Sequence, residues 1–215
     1  MAPFLRPGAV VVDAGANIGY NTVYLARQVG PGGRVIAVEP ADDNLRVLRD
    51  NIMRNALTNV TVAPVAAGRT SETRSLYLRG DISAVNSFYQ DSAYADVTGV
   101  VTVPVKPLDT LVPGDADLVK IDVEGAELDV LAGMARLLRS PGIALVVEWH
   151  PLLQEKAGHE ADALPRMLLE NGFRLVSASH TRSAPVAQAD LASLIVSLRK
   201  SGRPVDLLAT RERRV

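Results

Sequence analysis

The stretch Val10-Val11-Val12-Asp13-Ala14-Gly15-Ala16-Asn17-Ile18-Gly19 constrains the fold more than any other part of the chain. Its β-branched run predicts a buried strand that ends on an acid. A loop with two glycines follows, and then Tyr20-Asn21-Thr22-Val23-Tyr24-Leu25-Ala26, which predicts the start of a helix. Strand, glycine-rich turn and helix make the opening unit of a nucleotide-binding α/β sheet. Glycine lets the backbone turn tightly and approach a ligand closely. The helix N-terminus adds unpaired N–H groups.

The unit then repeats. Gly30-Pro31-Gly32-Gly33 breaks the chain, and Arg34-Val35-Ile36-Ala37-Val38-Glu39 predicts a second buried strand ending on a carboxylate. Asp42 or Asp43 is placed to cap a helix from about Asn44 to Asn55, with Leu45, Leu48 and Ile52 at helical spacing. Asn59-Val60-Thr61-Val62-Ala63 is a third strand. Strand–helix–strand–helix–strand demands a parallel sheet with right-handed crossovers. Glu39 lies 20 residues beyond Gly19, where such folds place the carboxylate that holds ribose hydroxyls. Alone, it would read as a solvated strand-end acid; the glycine loop changes that reading.

Residues 69–104 interrupt the alternation. Ser75-Leu76-Tyr77-Leu78 and Val100-Val101-Thr102-Val103-Pro104-Val105 predict short antiparallel strands around a polar stretch containing Asn86-Ser87-Phe88-Tyr89. An irregular insert of this length in a compact domain is usually functional, and the segment reads as a flap beside the pocket. Alternation resumes with Asp117-Leu118-Val119-Lys120-Ile121-Asp122, a fourth strand, and a helix carrying Leu128, Leu131, Leu137 and Leu138. Ile143 to Glu148 is a fifth strand, Ala161 to Asn171 a helix, Phe173 to Val176 a sixth strand. Leu191, Leu194, Ile195 and Leu198 have helical spacing, and Pro204 to Ala209 closes the sheet as a seventh strand. The 215 residues read as one α/β domain, doubly wound and Rossmann-like.

Ligands of such sheets bind outside the carboxyl ends of the strands, at the switch point. Asp13, Glu39, Asp122, Glu124, Glu148 and His150 all fall there, and no arginine is placed to receive a phosphate. An edge this acidic repels pyrophosphate and favours a cation. S-adenosyl-L-methionine (SAM) fits: it has a positive sulfonium, a positive amino group and ribose hydroxyls, and no phosphate. A nicotinamide dinucleotide fits less well, since its G-x-G-x-x-G fingerprint is not met by Gly15 and Gly19. Absence of cysteine excludes disulfides, thiolate zinc sites and thiol nucleophiles. A net charge of −1 and 4% aromatic residues give no basic, stacking face for nucleic acid. No apolar run reaches the roughly 18 to 20 residues of a membrane span. A cytoplasmic location is the default expectation, without membrane or nucleic-acid partners.

The chain resembles the FkbM-type family of class I SAM-dependent methyltransferases. The resemblance rests on Val12-Asp13-Ala14-Gly15-Ala16-Asn17-Ile18-Gly19, Val38-Glu39-Pro40, Leu108-Asp109-Thr110-Leu111, Lys120-Ile121-Asp122-Val123-Glu124-Gly125-Ala126-Glu127 and the Glu148 segment. It covers nearly the whole chain. It implies a mostly parallel seven-stranded sheet of order 3-2-1-4-5-7-6, with strand seven antiparallel. It also implies O-methylation of a hydroxyl on a small molecule, sugar, glycolipid or polyketide. Family members usually carry a longer segment before the first strand, which here starts within ten residues of Met1. That shifts acceptor recognition towards the 69–104 insert or a partner subunit, as in a homodimer.

Charge and position assign the roles. Asp13 orders the loop and meets the methionine amino group, directly or through water, with Asp122 also on the cofactor side. Gly15, Asn17 and Gly19 pack against methionine and ribose, and Glu39 takes the ribose hydroxyls. His150 is the natural general base for an acceptor hydroxyl, unless it merely caps or packs beside Pro151. Asp122 and Glu124 are its alternatives, or orient the acceptor. A divalent metal, held by Asp122, Glu148 and His150, is the other way to lower a hydroxyl pKa. His159 and His180 read as surface loop residues. The competing functions are an NAD-dependent oxidoreductase and a non-catalytic SAM-binding domain.

Overall fold

The computed structural model describes residues 4–79, 86–90, 96–140, 142–178 and 183–211. Strand β1 (Val10–Ala14) leads into α1 (Tyr20–Val29), β2 (Arg34–Val38), α2 (Asp42–Arg54) and β3 (Val60–Ala63). Valine, isoleucine and alanine fill these strands because both faces are covered by helices, so nearly every position of β1 and β2 is buried. Helix α2 begins one residue earlier than Asp42 capping would require. Ala41 flanks it, and Asp42 and Asp43 sit in its first turn without a capping bond, favourable to the helix dipole there.

The second half contributes α3 (Leu108–Leu111), β7 (Leu118–Ile121), α4 (Glu127–Ala132), β8 (Ala144–Trp149), α5 (Pro151–Lys156), α6 (Ala163–Glu170) and β9 (Arg174–Ala178). It ends with β10 (Ser183–Val186), α7 (Leu191–Ser201) and β11 (Val205–Thr210). The main sheet has the order β3-β2-β1-β7-β8-β11-β9-β10. Its first seven strands reproduce the expected order, with β11 antiparallel to both β8 and β9. The expected count of seven is corrected to eight. β10 pairs antiparallel with the edge of β9, and its Ser-Ala-Pro-Val sequence is too short and too polar to signal a strand. The leucine-bearing helix after β7 is in two pieces: α4 stops at Gly133, and Leu137–Arg139 form a separate 3-10 turn. Asp109 takes the Arg136 and Leu137 N–H groups at 2.7 and 3.0 Å and fixes that break.

The insert forms its own sheet. Strands β4 (Ala66–Ala67), β5 (Glu72–Leu78) and β6 (Gly99–Lys106) lie in the order β4-β6-β5. Leu76, Val103 and Val105 bury a small core with Ala41 and Ala66, against which Leu78 and Phe88 pack. Part of the polar stretch between β5 and β6 lies outside the described residues. Residues 86–90 do not, and they return to the sheet: Ser87 exchanges two backbone bonds with Tyr77, at 2.9 and 3.2 Å.

Candidate active site

At the carboxyl ends of β1, β2, β7 and β8 lies a cavity of about 330 Å³. Its floor is the β1–α1 loop. Gly15 has φ +82°, and a Cβ there would stand 1.8 Å from the Asp122 carbonyl oxygen, so only glycine fits. The N–H groups of Gly15 and Ala16 both reach the Val38 carbonyl at 3.0 Å. Gly15 and Asn17 line the cavity. Gly19 does not. Its φ of +90° turns the chain into α1, and a Cβ would stand 2.5 Å from Leu48 Cδ1. Its task is packing against α2.

Glu39 sits in the wall at 5% exposure. One oxygen accepts the Asn17 N–H at 2.9 Å; the other accepts Ala41 N–H and Asn44 Nδ2, both at 3.0 Å. Burial raises its pKa, and those three hydrogen bonds oppose the rise. A carboxylate offers about four acceptor directions, so a ribose diol would share Glu39 with the loop that positions it.

Asp13 is fully buried and is not part of the cavity wall. Thr22 Oγ1 donates to it at 2.6 Å, and Lys120 Nζ lies 3.6 Å away. The expected contact with a methionine amino group is therefore corrected: Lys120 is in the wall where Asp13 was expected. The register explains this, because Asp13 of β1 pairs directly with Lys120 of β7. Burial raises the Asp13 pKa against the pull of Lys120. Burial acts to lower the Lys120 pKa, but Asp13 and Asp122 outweigh it and hold the ammonium above its ordinary value.

Asp122, Glu124 and Glu148 meet on the far wall. One carboxylate oxygen of each lies within 4.8 Å of the others. Burial pushes Glu124 up to about 8, helped by the charges of Asp122 and Glu127. Burial and the same acidic neighbours also raise Glu148. Glu124 is a non-glycine residue at φ +56°, a conformation that costs energy and that surrounding structure must impose. Two bonds impose it. Ser87 Oγ donates to the Glu124 carbonyl at 2.7 Å, and Glu127 accepts the Gly125 N–H at 3.0 Å. Glu127 is itself buried and receives Gln154 Nε2 at 2.6 Å.

His150 does not join them. It is 3% exposed, immediately precedes α5, is absent from the cavity wall and has a backbone hydrogen bond with Gly202. Burial lowers its pKa. Both the base and metal-ligand roles expected of His150 are corrected on this placement: at the end of β8, Glu148 lines the cavity and His150 is buried outside it. The acid grouping close enough to share a cation is Asp122, Glu124 and Glu148. His159 is half-buried, and His180 lies outside the described residues.

The insert, read from the sequence as a flap containing Asn86-Ser87-Phe88-Tyr89, also reaches this site. Asn86 and Phe88 line the cavity. Arg79, nearly buried, donates from its guanidinium to the carbonyls of Tyr89 and Gln90 at 2.7 and 2.9 Å. Arg74 lies 4.2 Å over the Phe88 ring and bonds Asp129 at 3.3 Å. Only the closed tertiary structure brings these arginines beside the loop; no spacing rule reveals them.

The donor set suits SAM and not a dinucleotide phosphate. The wall carries Glu39, Asp122, Glu124 and Glu148, with Lys120 as its cation among the described residues. The fold, with its cavity at the strand ends, is that of a class I methyltransferase domain. Solved structures agree in fold. The methyltransferase FkbM of Methylobacillus flagellatus superposes with a TM-score of 0.57 at 19% identity, over 94% of this chain and 43% of that one. A Streptococcus mutans protein described as a methyltransferase and solved with SAH has a TM-score of 0.54 at 12% identity, over 97% and 94%.

The sequence model of the methyltransferase FkbM domain matches residues 13–175, and the chain belongs to that family. "Methyltransferase 1" of Beauveria bassiana is 30% identical over 154 residues, 62% of this chain and 61% of its own length. The "AMB antimetabolite synthetase AmbE" of Pseudomonas aeruginosa is 28% identical over 80% of this chain but only 10% of its own length. The "Hexuronic acid methyltransferase AglP" of Haloferax volcanii is 30% identical over 64% of this chain and 54% of its own. The chain thus spans less than two thirds of each of these relatives. No helix among the described residues is long and apolar enough to cross a membrane.

Proposed function

We propose that the protein is an O-methyltransferase acting on a hydroxyl of a small molecule, sugar, glycolipid or polyketide-type product, and that residues 1–215 form one methyltransferase domain. The observation that carries this is the acidic wall of Asp122, Glu124 and Glu148 beside the cofactor loop. Bound SAM supplies an electrophilic methyl group on a sulfonium. An aliphatic hydroxyl must lose its proton as it accepts that methyl, and positioning supplies much of the remaining rate. Glu124 is the proton acceptor in this reading, because the strained turn that Ser87 holds carries it to the cavity. Glu148 orients the acceptor. Gly15, Asn17 and Glu39 hold the adenosine portion, and Asp122 faces the methionine amino group. Asn86 and Phe88 of the insert cover the acceptor side.

The relative named for hexuronic acid supports a sugar acceptor. The acidic wall adds a preference: an acceptor with its own carboxylate meets three carboxyl groups, so neutral or aminated polyols are favoured. Methyl-labelled SAM with a panel of neutral sugars, amino sugars and uronic acids tests this. The expected product is a methyl ether on a neutral or amino sugar. Label on nitrogen, or a strong preference for uronic acids, would overturn the reading.

A further inference from the structure

Lys120 has no role in the chemistry so far, yet it is 7% exposed, sits in the cavity wall and is surrounded by acids. Its ammonium lies 3.0 Å from Asp122 and 3.6 Å from Asp13. Asp13 is fixed below by Thr22 and by strand pairing, and Asp122 opens to the cavity. The ammonium thus donates to Asp122 and is paired electrostatically with Asp13, which fixes it between two carboxylates.

Methyl transfer changes the charge of the cofactor. SAM carries a sulfonium; when the methyl leaves with the acceptor oxygen, the electron pair of the broken C–S bond stays on sulfur. The product, S-adenosylhomocysteine (SAH), is a neutral thioether, and the acceptor proton goes to the wall. The carboxylates of this cavity would stabilise the charge of a bound sulfonium more than the dispersed charge of the transition state, and that preference would slow the step. A fixed cation among them reduces it.

We propose that Lys120 is the charge-balancing residue of this site, its ammonium between Asp13 and Asp122 setting how strongly the cavity prefers the sulfonium cofactor over its thioether product. The inference rests on the SAM-dependent reading of the cavity. Calorimetric titration with SAM and with SAH separates the two. Wild-type protein that binds neither defeats the SAM reading itself.

Given binding, Lys120→Met shifts the ratio of the two dissociation constants towards SAM, on the order of fivefold for one unit charge in a screened interior. Asp13→Asn removes a buried negative charge and shifts the ratio the other way. Lys120→Arg keeps the wild-type ratio. The double variant Asp13→Asn with Lys120→Met removes the pair together and returns the ratio towards wild type, and it carries the test if Lys120→Met alone fails to fold. A merely structural lysine weakens both ligands equally; ratios unchanged in Lys120→Met and Asp13→Asn overturn the proposal.

Discussion

The hydroxyl of Ser87 donates to the carbonyl of Glu124 at 2.7 Å, joining the small second sheet to the acidic wall of the main one. The bond holds a glutamate in a left-handed turn, where the backbone alone would not rest. Ser87→Ala releases it. Loss of one such hydrogen bond is about 1 kcal/mol. The expected result is a several-fold loss of turnover and a higher KM for the acceptor, with the SAM dissociation constant within twofold of wild type. An equal loss in SAM binding would show that the turn serves the cofactor instead.

Glu39 ties Asn17 of the β1–α1 loop to Ala41 and Asn44 at the start of α2, as well as facing the cavity. Glu39→Ala is therefore expected to weaken SAM binding at least tenfold, and also to lower the melting temperature by several degrees. Glu39→Gln keeps part of the loop bonding and should keep more of the stability than of the binding. Calorimetry beside a thermal melt reads both; unchanged SAM affinity in the alanine variant would remove Glu39 from the ribose site.

His150 is buried and stands outside the cavity wall, so its expected effect is on stability. Its folded-state pKa is lowered by burial, so below about pH 6.5 the unfolded chain binds a proton that the folded chain resists. Stability attributable to His150 is present above that value and is lost as the pH falls through it. His150→Gln should flatten this part of the pH profile and leave SAM binding intact. Melting curves between pH 5.5 and 7.5, on the order of one unit either side of the ordinary histidine value, are the check. A variant that folds like wild type but turns over far more slowly would restore His150 to the chemistry.

Glu127 slopes the other way. Burial pushes its pKa from 4.5 up to about 7, so the folded state holds its proton more tightly than the unfolded state. Stability from this group falls as the pH rises between 4.5 and 7. The Gln154 amide faces Glu127, and its Oε1 has no hydrogen-bond partner among the described residues. Glu127→Gln can pair with that amide in flipped orientation. Glu124 and Glu148 slope the same way, so the variant should make the slope shallower while keeping the fold; a slope as steep as that of the wild type in its melting curves would remove Glu127 from the titration.

Much of this was legible in the chain, for physical reasons. The β1 loop, Glu39 and the Lys120–Glu127 block could be read because close backbone approach and strand-end placement leave few residue choices. The strand order came from the family resemblance, and the structure carries it with one more strand. His150 and Asp13 show where the reading fails. Sequence places a residue at a strand end, but not the surroundings it meets: Glu148 and His150 are two apart, and one lines the cavity while the other is buried at the start of α5. Asp13 was assigned to ligand because its strand register with Lys120 is a long-range fact. Arg74 and Arg79 were silent, and Ser87 was placed in the insert without its bond to Glu124, because these contacts are made across the fold.

The 1.8 Å space between a Cβ at Gly15 and the carbonyl of Asp122 means that two loops from distant parts of the chain rest backbone against backbone. The glycine loop and the Asp122–Gly125 turn are thus one piece, and in the proposed reading the cofactor side and the acceptor side cannot be reshaped separately. Retargeting the enzyme to another acceptor would have to leave residues 122–125 in place. The side chains open to change are those brought by other elements, Asn86 and Phe88 above all, so acceptor choice is free to diverge in the insert while the transfer geometry stays fixed.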